Sequence, residues 1–430
     1  MTTQNNATPA RGWVVTAAGA ILALAFGILY VWSVIKSGIP DSWGWTHADK
    51  ALPYSIMVTV FSLVMVPAGR LQDRLGPRPV ILLGGFLCGL GCVMSGLGGA
   101  SKAAYILGFG FVTGTGVGFG YSALTPAAIK WFPPRKTGLV AGLVVAGTGL
   151  APVPLAPLAQ WLLQYFARPN AEGMLVPGVS QTLIALGIGV WVITATVGWL
   201  VTNPPKGFVP AGSGGAAATD FPELSPGRML RAPQFWILYL MYFSGASAGL
   251  VYISVAADIG RQALGEMAFF TVVVLSAGNT LGRILAGAIS DRIGRHQTLF
   301  LEFLAQAITV FLLFHLRSSG GGGNVTAVLA LVFAIGLNYG GNLTLFPAMT
   351  KEYFGVRHFG VNYGSLFTAF GTAGMIMPWL NGHIKDSFGN TAPMAFIIIA
   401  LLCGSALLSL YSKRMGPPAP VSPGKTVRSN

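Results

Sequence analysis

Gly69-Arg-Leu-Gln-Asp73-Arg74-Leu-Gly76-Pro-Arg and Gly287-Ala-Ile-Ser-Asp291-Arg292-Ile-Gly294-Arg-His carry Gly, Asp, Arg and Gly in the same four places, so that Asp73 aligns with Asp291. A second pair agrees: Gly120, Leu124, Pro126, Ala127 and Lys130 recur as Gly341, Leu345, Pro347, Ala348 and Lys351 at nearly the same separation. Two matches at nearly one offset mark an internal duplication. The chain around them is apolar, with 53% hydrophobic and 9% charged residues in 430, against about 25% charged in soluble proteins. So few charges cannot cover a water-exposed surface. The 59 Gly and 27 Pro follow no collagen period and no polar tract, which removes fibrous and disordered classes. A polytopic, all-α membrane protein remains.

A spanning helix needs roughly 20 mostly apolar residues, and that window predicts twelve spans: 12–35, 52–68, 79–99, 103–129, 138–166, 181–201, 233–257, 267–289, 298–316, 325–349, 359–380 and 392–411. The first is too long for a signal peptide and lacks a cleavage site, so it reads as a retained anchor. The expected organisation is an N-tail (1–11), a six-helix bundle (12–201), a Gly/Pro-rich linker (202–232), a second six-helix bundle (233–411) and a C-tail (412–430). Of the 26 Lys and Arg, 18 fall on the side of the termini, seven on the other and one, Arg283, inside a span. The positive-inside rule then places both termini in the cytoplasm of a cell (inner) membrane. It also explains the net charge of +14 without a nucleic-acid partner. Cys88, Cys92 and Cys403 lie in apolar runs with no ligand spacing, so no metal or cofactor is expected.

The run Gly108-Phe-Gly-Phe-Val-Thr-Gly114-Thr-Gly116-Val-Gly118-Phe-Gly120 resembles a nucleotide loop only in composition. It sits inside a span with no preceding strand and no Gly-Lys-Ser/Thr, where small residues serve close helix packing. No HExxH, no Ser-His-Asp set and no paired carboxylates occur within one span, so an enzyme is not expected.

Arg283 is the most informative residue. It precedes Asp291 by two helical turns and so lies about 12 Å inside that end. Arginine at a helix centre costs about 2.5–3.5 kcal/mol on insertion scales, and it cannot lose its proton. It must meet an anion, either a bound ligand or an internal carboxylate, for which Asp258 is the main candidate. Asn279 is one turn earlier on the same face. Tyr121 in span four and Tyr339 in span ten are candidate flanking donors, or simply packing aromatics. One guanidinium fork suits one small carboxylate. Asp258, counted from Pro233, falls near the far end of span seven, so contact with Arg283 requires a break at Gly245 or Gly249; otherwise Asp258 is a surface acid beside Arg261.

Two parallel six-span repeats carrying Asp-Arg-x-Gly after spans two and eight resemble the major facilitator superfamily, in which a loop signature of this kind latches the cytoplasmic side. The resemblance implies its twelve-helix fold with a site between the halves, with Gly69, Asp73, Arg74, Gly76, Gly287, Asp291, Arg292 and Gly294 as gating residues. The stretch from Trp131 to Gly149, the Arg283 context and Asn362-Tyr-Gly are similar to the branch of monocarboxylate transporters and bacterial oxalate:formate antiporters. It implies a secondary transporter of small carboxylates such as lactate or pyruvate, working by proton symport and expected to be a monomer in the lipid bilayer; among this chain's own residues Asp258 is the candidate for the coupling. Oxalate exchangers carry a span-eleven Lys at the place of Phe370, which argues against a dicarboxylate. Animal members carry a span-one Lys where this chain has Val31-Trp32-Ser33. An anion exchanger without proton coupling is the alternative. Efflux of hydrophobic cations would need a buried carboxylate in the N-terminal half, and none is found.

Overall fold

The computed structural model describes residues 8–169, 173–205, 208, 223–355 and 358–418. Twelve membrane-length helices follow one another: α1 (Ala10–Ser37), α2 (His47–Leu75), α3 (Pro77–Leu97), α4 (Lys102–Ile129), α5 (Leu139–Tyr165), α6 (Val179–Val197), α7 (Pro233–Leu264), α8 (Phe269–Ile293), α9 (Arg295–Ser318), α10 (Val325–Phe354), α11 (Phe359–Phe388) and α12 (Ala392–Met415). In hydrocarbon a chain must satisfy its own backbone, which leaves apolar runs of this length little but helix. Ten stretches among the described residues are long and apolar enough to cross a membrane. One of them, Pro233–Ile293, holds two helices, α7 and α8, separated by a 3-10 turn at Gly265–Ala268. α11 falls outside that set because its central stretch, 363–380, is rich in Gly, Ser and Thr and also holds Tyr363, Pro378 and Trp379, which keep its hydropathy low. The two-residue pairing of Arg168–Pro169 with Leu175–Val176 is the only sheet among the described residues.

Contacts sort the helix ends into two levels. Gly12 packs on Phe132, Trp131 donates to the Thr202 carbonyl at 2.8 Å, and Tyr353 reaches Ser412. These mark the terminal end, where α1 begins and α12 finishes. At the other, distal end Trp45 donates to the Ala100 carbonyl and Gly382 packs on His47 and Ala48.

The Gly-rich run of α4 packs against α3: a Cβ on Gly116 would lie 2.3 Å from the Cys88 nitrogen, and one on Gly120 would enter the Phe26 ring of α1. The segment Ile106–Thr113 within it is a π-helical turn. α1 tightens to a 3-10 turn at Gly27–Val31, where Gly27 packs against Ala151 of α5.

The two halves meet along α2–α11 and α8–α5. Under the repeat, α2 corresponds to α8 and α5 to α11, so these are one contact made twice. Gly371 of α11 lies against Ser62 of α2, and Gly149 of α5 lies against Thr280 of α8. Ser62 and Thr280 are equivalent positions in the alignment that pairs Asp73 with Asp291.

The motif itself repeats in backbone geometry. Gly76 and Gly294 end α2 and α8 with φ of 83° and 92°, a region that favours glycine, and their N–H groups donate to Gln72 and Ser290. Gly69 has open space around it, and Gly287 meets only Thr344 at 3.7 Å. Arg74 and Arg292 are exposed. Asp291 pairs with Arg295 at 2.7 Å, and Arg295 also pairs with Glu352 of α10 at 3.1 Å, which ties α8, α9 and α10 at the terminal end. The Asp73 side chain and residues 206–207 and 209–222 of the expected linker lie outside the described residues.

Candidate functional site

Arg283 sits on the face of α8 turned to the other half. Its Nε donates to Asn279 Oδ1 at 3.2 Å and its Nη1 to the Val145 carbonyl of α5 at 3.3 Å. Both acceptors are neutral, and among the described residues no carboxylate lies at ion-pair distance. The phenols of Tyr30, Tyr121 and Tyr339 lie within electrostatic reach of the guanidinium. Asn279 Nδ2 is buried without a hydrogen-bond partner, and Tyr339 Oη and Thr148 Oγ1 are buried without one of good geometry, with the phenols of Tyr30 and Tyr121 beside them. An unpartnered buried donor costs about 1–3 kcal/mol, and here it stands beside an uncompensated cation. The structure therefore brings Arg283, Asn279, Tyr121 and Tyr339 together, and adds Tyr30 and Thr148, which sequence reading misses. Tyr30 lies in the 3-10 turn of α1, whose tightening no hydropathy window reports.

Small residues set this geometry. A Cβ on Gly249 of α7 would overlap the Tyr339 ring at 2.0 Å, and one on Gly340 of α10 would meet the Asn279 carbonyl at 2.0 Å. Ser276, one turn before Thr280, donates to the Gly149 carbonyl. Phe370 is buried, stacked on Phe367 at 4.9 Å and 6.4 Å from the Tyr339 ring. Phe61 links Tyr121 to Phe370 by edge contacts at 5.5 and 6.5 Å. One flank of the site is thus aromatic and uncharged.

Asp258 takes another partner. α7 runs unbroken from Pro233 to Leu264; Gly245 and Gly249 do not break it but accommodate Asn342 and Tyr339. Asp258 follows Gly249 by two and a half turns, so it lies about 13 Å farther along the helix. There it pairs with Lys36 Nζ at 3.0 Å, and the same ammonium donates to the Ser254 carbonyl at 2.8 Å. Lys36 is buried in α1, where hydropathy suggests a loop cation; the apolar window stops at the charge, whereas the helix continues past it. Arg261 bonds not to Asp258 but to the Ser37 carbonyl at 3.2 Å. Asp386 of α11 accepts from the backbone N–H groups of His47 and Ala48, both at 2.9 Å. These contacts join the halves at the distal end. Lys36 and Asp258 stand at nearly equivalent positions of the two repeats, so the pair forms where matching helices meet across the pseudo-twofold axis.

The model of the Major Facilitator Superfamily matches residues 15–323. The chain belongs to the major facilitator superfamily. It is 27% identical over 411 residues to the oxalate:formate antiporter of Oxalobacter formigenes, covering 95% of this chain and 93% of that protein. It is 25% identical over 409 residues to monocarboxylate transporter 13 of Bos taurus, covering 93% and 89%. A solved bacterial homologue of the human lysosomal transporter Spinster, inward-facing and unoccupied, superposes with a TM-score of 0.69 at 17% identity, covering 97% of this chain and 99% of that one. This superfamily member is a multi-pass membrane protein and a secondary transporter, not an enzyme, with relatives among oxalate:formate and monocarboxylate carriers.

Proposed function

We propose that this protein carries a small monocarboxylate, of lactate or pyruvate size, together with a proton, by alternating access. The supporting observation is the Arg283 guanidinium, which meets only neutral oxygens while the Asn279 Nδ2 donor beside it lacks a partner. A substrate carboxylate would take the fork of Arg283 and accept from Asn279 Nδ2 and the phenols of Tyr339 and Tyr121. The relatives' names point to the same substrate class.

Asp258 is the proton carrier in this reading. Its carboxylate holds Lys36 across the distal seam; a proton on that carboxylate removes the charge that holds Lys36, so proton uptake and distal opening are linked. The seven cations assigned to the distal side against 18 on the terminal side support cytoplasmic termini in a cell (inner) membrane. The working unit is a monomer of two bundles, 12–201 and 233–411, joined by 202–232. Asp73, Arg74, Asp291 and Arg292 would close the cytoplasmic side with their neighbouring glycines.

The test is uptake of labelled lactate, pyruvate, formate and oxalate into proteoliposomes with and without an inward proton gradient. Gradient-driven lactate or pyruvate accumulation is expected. The similarity to an antiporter favours a second reading, exchange without proton coupling. That reading wins if uptake ignores the gradient and follows the anion loaded on the opposite side.

A further inference from the structure

A cavity of about 500 Å³ opens at the distal end, mostly within the C-terminal half but bordered by Lys36, His47 and Ala51 of the other half, and away from Arg283. Its rim carries Lys36, His47, Arg317 and Lys385, with Asp258 as its only carboxylate. Asp258 is occupied by Lys36. Arg317 and Lys385 have no ion-pair partner among the described residues. With His47 neutral, the charges on the lining leave an excess of two positive.

Below the rim the walls are apolar: Tyr252 of α7, Leu313 and Phe314 of α9, and Met394 and Ile398 of α12. Lys36, Arg317 and Lys385 sit near helix ends, Leu313 and Phe314 about one turn deeper than Arg317, and Ile398 nearly two turns into α12, the order of a headgroup and its chains. Leu312 and Phe396, beside lining residues Leu313 and Ala395, are exposed hydrophobics, so the walls run on into a surface that faces lipid. A pocket of this volume suits a ligand of drug size, much larger than a three-carbon acid.

We infer that this cavity binds the headgroup of an anionic phospholipid from the distal leaflet, with its phosphate between Arg317 and Lys385 and the start of an acyl chain along Phe314 and Ile398. A guanidinium and an ammonium each favour a phosphate, and apolar walls favour a chain. His47 and Ala51 of α2 also line the cavity, so the bound lipid touches both halves beside the Lys36–Asp258 pair.

The experiment is native mass spectrometry of the full-length purified protein titrated with phosphatidylglycerol or phosphatidylethanolamine of matched chains. The native protein is expected to retain phosphatidylglycerol selectively. R317Q/K385Q should lower that retention at least about tenfold, while R168Q, which removes an exposed distal cation outside the cavity, should leave it unchanged. If the double variant is not monodisperse, K385Q alone should still weaken retention. Equal retention by the charge variants, or equal retention of both lipids, overturns the proposal. Displacement of the lipid by excess lactate also overturns it and makes the cavity a carboxylate vestibule. Lipid retention is read without transport, so its failure leaves the carrier reading untouched.

Discussion

α2 and α8 occupy equivalent places, yet the faces they turn to the seam differ in chemistry. In the alignment that pairs Asp73 with Asp291, Asn279 and Arg283 fall on Phe61 and Met65. In the N-terminal half that face is apolar, and Phe61 packs against Tyr121, Phe367 and Phe370. In the C-terminal half it holds a cation and a carboxamide one turn apart. The backbone contacts around them are alike: Ser62 donates to the Phe367 carbonyl at 2.9 Å, and Arg283 reaches the matching carbonyl of α5, Val145. Duplication has kept the scaffold and placed the charge on one side only. A single cation facing an aromatic wall can orient one carboxylate, head to Arg283 and carbon end to the phenyl rings.

The comparison breaks most directly at Arg283. Arg283→Lys keeps the charge and loses the planar fork, so transport is expected to fall more than about a hundredfold, the scale of a lost charge-assisted contact, while insertion and folding persist. Uptake by a monodisperse, normally inserted variant is the measurement, and near-native uptake would remove Arg283 from the site.

Phe370 sharpens the same contrast. A dicarboxylate would place its second charge against Phe370, Tyr339 and Phe61 with no cation to meet it, at a penalty of several kcal/mol, or roughly a hundredfold in affinity. Excess oxalate should therefore fail to displace labelled lactate. Phe370→Lys should shift preference toward oxalate; competition curves for both proteins give the readout. Displacement from the native protein at equal concentrations would end the one-cation, one-carboxylate account.

The distal pair is the next place to press. Lys36 and Asp258 neutralise each other, unlike Arg283, so their removal should alter gating and coupling more than substrate affinity. Asp258→Asn is expected to lower proton-driven accumulation about tenfold, and downhill exchange less. Adding Lys36→Met to Asp258→Asn should recover part of the stability lost by Asp258→Asn alone, because the single change strands a buried ammonium; a double-mutant cycle on melting temperature measures it. Equal loss of accumulation and exchange would leave Asp258 without a coupling role.

Much of this is legible in the sequence, in proportion to how local the signal is. Twelve apolar stretches and two Asp-Arg-x-Gly turns are local, and from them follow the helices, their order and the glycines at positive φ. Arg283 and Asn279 are legible because a cation in an apolar helix requires an explanation. Helix ends are less so. α2 starts at His47 rather than at 52 because Thr46 and Asp49 form a capping box, and α7 and α11 run on to Leu264 and Phe388, past the last apolar window. Lys36 reads as a loop residue for that reason, and its partner, in the other half of the chain, emerges only from the packing of the halves. The same holds for Tyr30 and Thr148, which are inconspicuous until α1 and α5 converge on Arg283.

The smallest expected effect tests whether the distal seam carries strength beyond its ion pair. Asp386 accepts both of the first N–H groups of α2 from across the seam, and a carboxylate at a helix N-terminus is favoured by the exposed donors and the helix dipole. Asp386 is exposed, so solvent weakens the contact, and α2 already has its own cap at Thr46. Asp386→Asn keeps the shape, removes the charge and should cost about 0.3–1 kcal/mol, felt at the seam rather than in either bundle. Amide exchange at the first turn of α2 should quicken several-fold, while the first turn of α8, in the equivalent place of the other half, should not change. Unchanged exchange at α2 would mean that Thr46 alone holds the helix end, and that the halves are joined there by Lys36, Asp258 and Arg261 without Asp386.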